Sequence, residues 1–247
     1  MLASALLIGA SVASLNLCTD EYLLLLARRN EIASISFLSQ DREESPLWHN
    51  AAGLPANRGS IEDVLADRPT VVLTMGGGGR ATRLLAQRLH IRAVELASVT
   101  SLVDVADNLR TVAAILGDPR RAAPWLAKLT WLQRTRPALS KDTMWLSTGG
   151  SSLAMGSIGT QWLRLAGLEQ RPLPSGRASL ETLLVRPPAV LVQSQYRSGQ
   201  LSSGTRWLDH PIVRNAKARR LATDGRRWTC MGPLMISEIA RLRAAVR

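Results

Sequence analysis

Aromatic residues are scarce in this chain: its 247 residues include one Phe, two Tyr and seven Trp. A core with so few rings is filled by Leu, Val, Ala and Ile, and any Trp left outside it becomes a candidate for ligand contact. Cysteine is as rare, with only Cys18 and Cys230. That excludes a disulfide-stapled miniprotein and leaves either one bridge or two unrelated thiols. The three histidines, His49, His90 and His210, stand isolated, so no cluster has metal-ligand spacing and a bare-metal site is not expected. No apolar run approaches the roughly 20 residues that a membrane-spanning helix needs.

What is present is ordinary globular composition, 46% hydrophobic and 20% charged, which argues against disorder. The formal net charge is +12, from 31 Lys and Arg against 19 Asp and Glu. The excess is nearly all Arg, because Lys occurs only at 128, 141 and 217. Nucleic acid calls for a dense basic stripe with aromatic stacking platforms. Here the Arg residues are scattered, and the densest pairs, Arg219-Arg220 and Arg226-Arg227, flank a short turn. Nucleic acid is therefore not expected as a partner, while an anionic small ligand is compatible with the charge. Residues 1–10 are apolar and lack a basic n-region, so they read either as part of a secretory signal or as a first buried strand.

The chain resembles itself. Ser60-Ile-Glu62-Asp-Val-Leu65 followed by Pro69-Thr-Val-Val-Leu73 matches Ser179-Leu-Glu181-Thr-Leu-Leu184 followed by Pro188-Ala-Val-Leu-Val192, always 119 residues apart (181 − 62 = 119, 188 − 69 = 119). Each copy reads as a short Ser-capped helix with Glu in its first turn, where the helix dipole favours a negative charge. A Pro-marked turn and a β-branched buried strand follow. A constant offset across cap, turn and strand indicates two halves built alike.

In the first half, strands are expected at 12–15, 32–37, 71–74 and 91–96, with a helix at 21–27. In the second, strands are expected at 143–147, 190–193 and 219–223, with a helix at 161–167. Alternating strands and helices imply parallel sheets that bind ligands beyond their carboxyl ends. Between the halves, Leu102, Val105, Ala106, Leu109, Val112, Ala113 and Leu116 mark an amphipathic helix. Ser101 with Asp104 opens it and Gly117 ends it. A second helix starts at Asp118-Pro119 and stops before Pro137. The expected fold class is α/β, with two Rossmann-like lobes of parallel sheets, at 1–98 and 141–247, bridged by a long backbone α-helix within 99–140.

This arrangement resembles the helical-backbone class of periplasmic binding proteins that serve ABC importers of ferric siderophores, haem and cobalamin. The residues that carry the likeness run from Val12-Ala-Ser-Leu-Asn-Leu-Cys-Thr-Asp-Glu21, through Asn57-Arg-Gly-Ser-Ile-Glu-Asp-Val-Leu65, to Trp228-Thr-Cys-Met-Gly-Pro233. The resemblance implies an exported, monomeric, periplasmic protein without catalytic residues or a resident cofactor. It would take a small-molecule metal chelate and meet the inner membrane only through the permease subunits of its transporter. It also implies that Glu62 and Glu181 dock on Arg residues of the permease, beside any part they play in starting their helices. The ligand-binding residues it suggests are Asn16, Cys18, Asp20, Gln40, Asp41 and Arg80 in the first half. In the second half they are Gly150, Tyr196, Arg197, Arg226 and Trp228. The Arg side chains favour an anionic iron chelate over a corrinoid. A Cys18–Cys230 bridge would tie the halves, and unpaired thiols are the alternative.

The competing enzyme reading rests on Gly76-Gly-Gly-Gly-Arg-Ala81. It follows a strand, precedes a helix and matches the dinucleotide pattern of an NAD-dependent oxidoreductase, with Glu95 where a ribose-binding acid belongs. Four consecutive glycines satisfy many such patterns, and the strand is not the first of its sheet. Arg80-Ala81 stands where a phosphate loop needs Lys and Ser or Thr. No G-x-S-x-G elbow serves a hydrolase.

Overall fold

A computed structural model describes residues 10–76, 79–138, 140–173, 175–196 and 203–246, without the side chains of 79–81 and 203–205. The chain divides into two compact units, Met1–Ser98 with Ala106–Pro124, and Val99–Val105 with Trp125–Arg247.

The first unit holds β1 (Val12–Ser14), α1 (Leu17–Leu26), β2 (Ile32–Ser36), α2 (Trp48–Ala51), β3 (Ala56–Asn57), β4 (Val71–Met75), α3 (Gly79–Arg88) and β5 (Arg92–Leu96). Its sheet runs β3-β2-β1-β4-β5 with every pair parallel. The central strands β1 and β4 are the most apolar because both faces are covered. Val12, Ala13, Val72 and Leu73 are 0% exposed. Ala13, Leu15, Ile61, Val64, Val72 and Ala86 form one core cluster of this unit.

Two helices follow, α4 (Leu102–Ile115) and α5 (Ala123–Arg134), and each contributes residues to both units. The expected capping box at the start of α4 is present. Ser101 Oγ accepts from Asp104 N–H at 3.3 Å, and Asp104 accepts from Ser101 N–H at 2.8 Å. Donation from the Thr100 backbone and hydroxyl, with desolvation opposing it, holds the Asp104 carboxyl below its usual range. Gly117, at φ +73, gives the left-handed turn that ends the segment.

The second unit continues with β6 (Lys141–Leu146), α6 (Ile158–Leu165), β7 (Leu168–Gln170), α7 (Leu180–Val185), β8 (Val190–Gln195), α8 (Ser203–Leu208), α9 (Pro211–Arg214), β9 (Arg219–Asp224) and α10 (Leu234–Val246). Its all-parallel sheet runs β7-β6-β8-β9. Numbered by order of appearance, both sheets read second-first-third-fourth, and β3 is an additional edge strand of the first. The duplication thus extends from local sequence to topology. The repeated cap is preserved at atomic level. Ser60 Oγ accepts from Asp63 N–H at 3.2 Å, and Ser179 Oγ accepts from Thr182 N–H at 3.0 Å. The first copy winds as a 3₁₀ turn over Glu62–Asp67 and the second as the α-helix α7.

Residues around Arg243 explain how the last helix is locked. Its guanidinium is 2% exposed and donates to the carbonyls of Leu132, Leu165 and Thr135. A buried cation therefore satisfies the carbonyl ends of α5 and α6, where the helix dipoles favour positive charge. Trp131 lies over the same guanidinium at 5.1 Å.

Candidate ligand-binding loops

Open parallel sheets bind ligands where strand order reverses, beyond the carboxyl ends. In the first unit that point lies between β1 and β4, and Asn16 spans it. Its Oδ1 accepts from the N–H groups of Cys18 and Thr19 at 3.1 and 3.0 Å, capping α1, while its Nδ2 donates to the Met75 carbonyl at 3.2 Å. Asn57 ties the same edge from the other side. It is 2% exposed and donates to Ser14 O at 2.9 Å and Ser34 Oγ at 3.2 Å. Gly59 (φ +91) follows because a Cβ there would meet the Leu15 carbonyl at 2.8 Å.

Asp20 does not belong to a ligand surface. It is 0% exposed, accepts from Ser39 Oγ at 2.6 Å, and takes the Ser36 N–H on both oxygens at 3.1 and 3.2 Å. Burial pushes its carboxyl up to about 7, outweighing hydrogen bonds from Ser14, Ser39 and the Ser36 backbone that lower it. Its position in the first turn of α1 turns it inward, onto the end of β2. Gln40 is also committed, donating to the Leu54 carbonyl at 2.7 Å. Asp41 is exposed and caps its own turn through the Glu43 N–H at 2.8 Å. Cys18 is half-buried, and no free cysteine is found among the described residues.

Sequence reasoning missed Phe37. It follows β2 directly and is 52% exposed, although alternation from Ile35 would turn it inward. The chain leaves the strand there because Ser36 Oγ accepts from the Leu38 N–H at 3.3 Å and starts a 3₁₀ turn. It is the single Phe of the chain, and it is left exposed at a strand end.

In the second unit the strand order reverses between β6 and β8. The turn Thr148–Gly150 stands at one side of that point and Tyr196 at the other. Gly150 (φ +73) is buried, and a Cβ on it would lie 2.7 Å from both the Ala178 carbonyl and the Trp207 ring. It serves close packing under α8. Gly225 lets the next turn approach β8, since a Cβ would sit 2.9 Å from Tyr196 Cα. Tyr196 is half-buried.

Of two further residues of this edge, one is paired and one is buried. Arg226 is paired with Asp224, with Nε to Oδ1 at 2.9 Å and Nη2 to Oδ2 at 2.8 Å, and its side chain is 24% exposed. Trp228 is 4% exposed, packs against Trp145 at 5.2 Å, and donates to Thr223 Oγ1 at 2.7 Å. Thr223 in turn donates to Glu238, itself 4% exposed, at 2.6 Å. Trp228 is therefore a core residue. Gly77, Gly78, Arg197 and the side chain of Arg80 lie outside the described residues.

Glu62 and Glu181 are both exposed, at equivalent places in the two units. Among the described residues neither enters an ion pair. No group of three or more His, Cys, Asp or Glu is arranged to hold a metal, and no helix is long and apolar enough to cross a membrane, among the described residues.

No protein-family model matches the chain, and no curated protein matches it in sequence. Solved structures do match in fold. The haem-binding protein HutB of Vibrio cholerae aligns with a TM-score of 0.68 at 18% identity, covering 95% of this chain and 98% of that one. A periplasmic haem-binding protein from Pseudomonas aeruginosa aligns at 0.62 and 20%, covering 96% and 92%. The vitamin B12-binding protein BtuF of Vibrio cholerae aligns at 0.63 and 18%, covering 96% of each chain. Over at least 95% of its length, this chain is similar in fold to the periplasmic binding proteins for haem and vitamin B12.

Proposed function

We propose that this chain is the solute-capturing component of an ABC importer, working in the periplasm without catalysing a reaction. Its cargo is an iron chelate, a ferric siderophore or haem, with a corrinoid as the second reading, and it delivers that cargo to a membrane permease. The observation that carries this reading is the fold match over at least 95% of the chain to proteins described as binding haem or vitamin B12. Supporting it are the switch-point loops, where Phe37 and Tyr196 offer flat apolar surface suited to a tetrapyrrole or an aryl chelate. Docking is assigned to Glu62 and Glu181. In a chain with 31 cationic side chains against 19 anionic, two exposed acids at equivalent positions that enter no ion pair among the described residues suit a cation from a partner.

Intrinsic Trp fluorescence, titrated with haem, cobalamin and ferric catecholate, hydroxamate and carboxylate siderophores, tests the cargo. Saturable quenching by one of them at micromolar concentration or below, with its metal-free form weaker, is expected. A folded protein that responds to none, and instead to NAD, would return the glycine loop at Gly76 to consideration as an enzyme site. Charge reversal at Glu62 and Glu181 is expected to abolish uptake while leaving the titration unchanged, and a loss of ligand affinity would refute the docking role.

A further inference from the structure

Helix α7 leaves its last turn uncovered. Leu183 is 1% exposed and packs into the core of its unit, but Leu184 and Val185 are 67% and 76% exposed. Leu184, Pro187, Pro211, Ile212, Ala216 and Lys217 line a groove of about 550 Å³ where α7 meets α9. Most of this lining is aliphatic, with Asn215 and Lys217 its polar members, so the free energy of covering it is gained chiefly when an apolar partner displaces its water. A space of that size admits a small cluster of aliphatic side chains or one aromatic ring.

Two observations identify the occupant. The first is position: Glu181 precedes Leu184 by three residues, which places both on one helix face about one turn apart. The second is repetition. The other unit carries exposed Glu62 followed three residues later by Leu65, 39% exposed, and the offset is again 119 (184 − 65 = 119). An acid with an exposed leucine beside it thus occurs once per unit, at positions the duplication makes equivalent. Among the described residues the acid enters no ion pair, so it is open to a cation from a partner, and the leucine is open to apolar surface. A partner that meets both demands twice presents cationic and apolar side chains side by side on each of two like surfaces.

We propose that the α7–α9 groove and Leu184 seat an apolar side-chain cluster of the membrane permease, directly beside the permease cation received by Glu181. Leu65 makes the smaller counterpart contact in the first unit. The proposal rests on the importer reading and adds to it a desolvated contact that holds the docked state where the carboxylates alone supply steering and register.

The test uses the full chain and its cognate permease reconstituted in lipid nanodiscs, with docking affinity read by biolayer interferometry. Leu184→Asp places a charge against the groove, and Ala216→Trp fills the groove without removing its walls. Both are expected to weaken docking at least tenfold, mainly through faster dissociation, with ligand affinity and melting temperature unchanged. Leu84→Asp, at an exposed leucine of α3, is expected to dock as wild type. Wild-type docking by the two groove variants overturns the inference while leaving the carboxylate contact standing. Weakened groove variants alongside wild-type docking by Glu62→Gln with Glu181→Gln keep the groove and remove the carboxylate role. A wild-type chain that fails to dock removes both. A solution dimer that Leu184→Asp abolishes assigns the groove to a second copy of the chain and overturns its assignment to the permease.

Discussion

Replacing Asp20 by Asn changes the pH dependence of stability in a direction fixed by burial. Asp20 is fully enclosed, and its carboxyl is raised from 3.8 to about 7 in the folded chain. Below the unfolded value both states hold the proton, and the carboxyl costs nothing. Between the two values the unfolded chain releases its proton while the folded chain keeps it, so stability falls as pH rises. Above the folded value both are ionised and the loss is complete. At 1.36 kcal/mol per pH unit, the interval amounts to a ceiling of about 4 kcal/mol, of which more than half falls between pH 5 and 8. Asn cannot ionise, yet its Oδ1 still accepts from Ser36 N–H and Ser39 Oγ. Urea unfolding of both proteins at several pH values, compared at equal m, cancels every other titrating group. Relative to wild type, Asp20→Asn is expected to gain about 2–3 kcal/mol between pH 5 and pH 8. Parallel curves across that window would refute the reasoning and show that the three donors offset desolvation.

Arg243→Met strands three helix-terminal carbonyls, and the cost is about 3 kcal/mol. For a chain of this length that is a fall in melting temperature of roughly 6–12 °C, measurable by calorimetry, and an unchanged melting curve would deny the guanidinium its capping role. Gly225→Ala forces a Cβ against Tyr196 and is expected to weaken ligand binding more than a stability loss of about 1–3 kcal/mol explains. Retained affinity in a titration would detach Tyr196 from the site. Phe37→Ser removes exposed aromatic surface with little effect on folding, so a drop in ligand affinity of tenfold or more with an unshifted melting curve is expected. Affinity that varies little between low and high salt would mark capture as mainly apolar, whereas a steep fall would point to the unpaired share of the arginine excess.

The architecture was legible because it rests on periodic and repeated features. Buried strands such as Val71–Met75 and Val190–Gln195 announce themselves as β-branched runs, and the Ser60 and Ser179 caps recur at one spacing. Edge strands were not legible. β3 has two residues and β7 three, too few to display alternation, and both owe their existence to pairing with β2 and β6. The start of α1 was also missed. Its first turn, Leu17-Cys-Thr-Asp, is largely polar and reads as loop, and only the Asn16 cap bonded to two backbone N–H groups reveals the helix.

The strand-end loops could be placed from the sequence, but not the way their side chains face, and the reason is direction. Position near a strand end fixes where a Cα lies, while the local backbone decides which way its side chain points. One turn into α1, Asp20 faces the core; one residue past β2, Phe37 faces out. Charge misleads in the same way. Arg226 stands at a strand end, but two residues earlier Asp224 accepts from its Nε and Nη2, so part of its charge is answered within its own turn. An anion-binding reading drawn from Arg content therefore weakens at each arginine that finds a carboxylate in its own turn, and aromatic surface at the strand ends gains weight in its place. The same reasoning makes the exposed acids more informative than the cations. In a chain with this excess of Arg, a carboxylate that enters no ion pair among the described residues at the same position in both units is the rarer outcome, and it is the feature that the proposed docking role rests on.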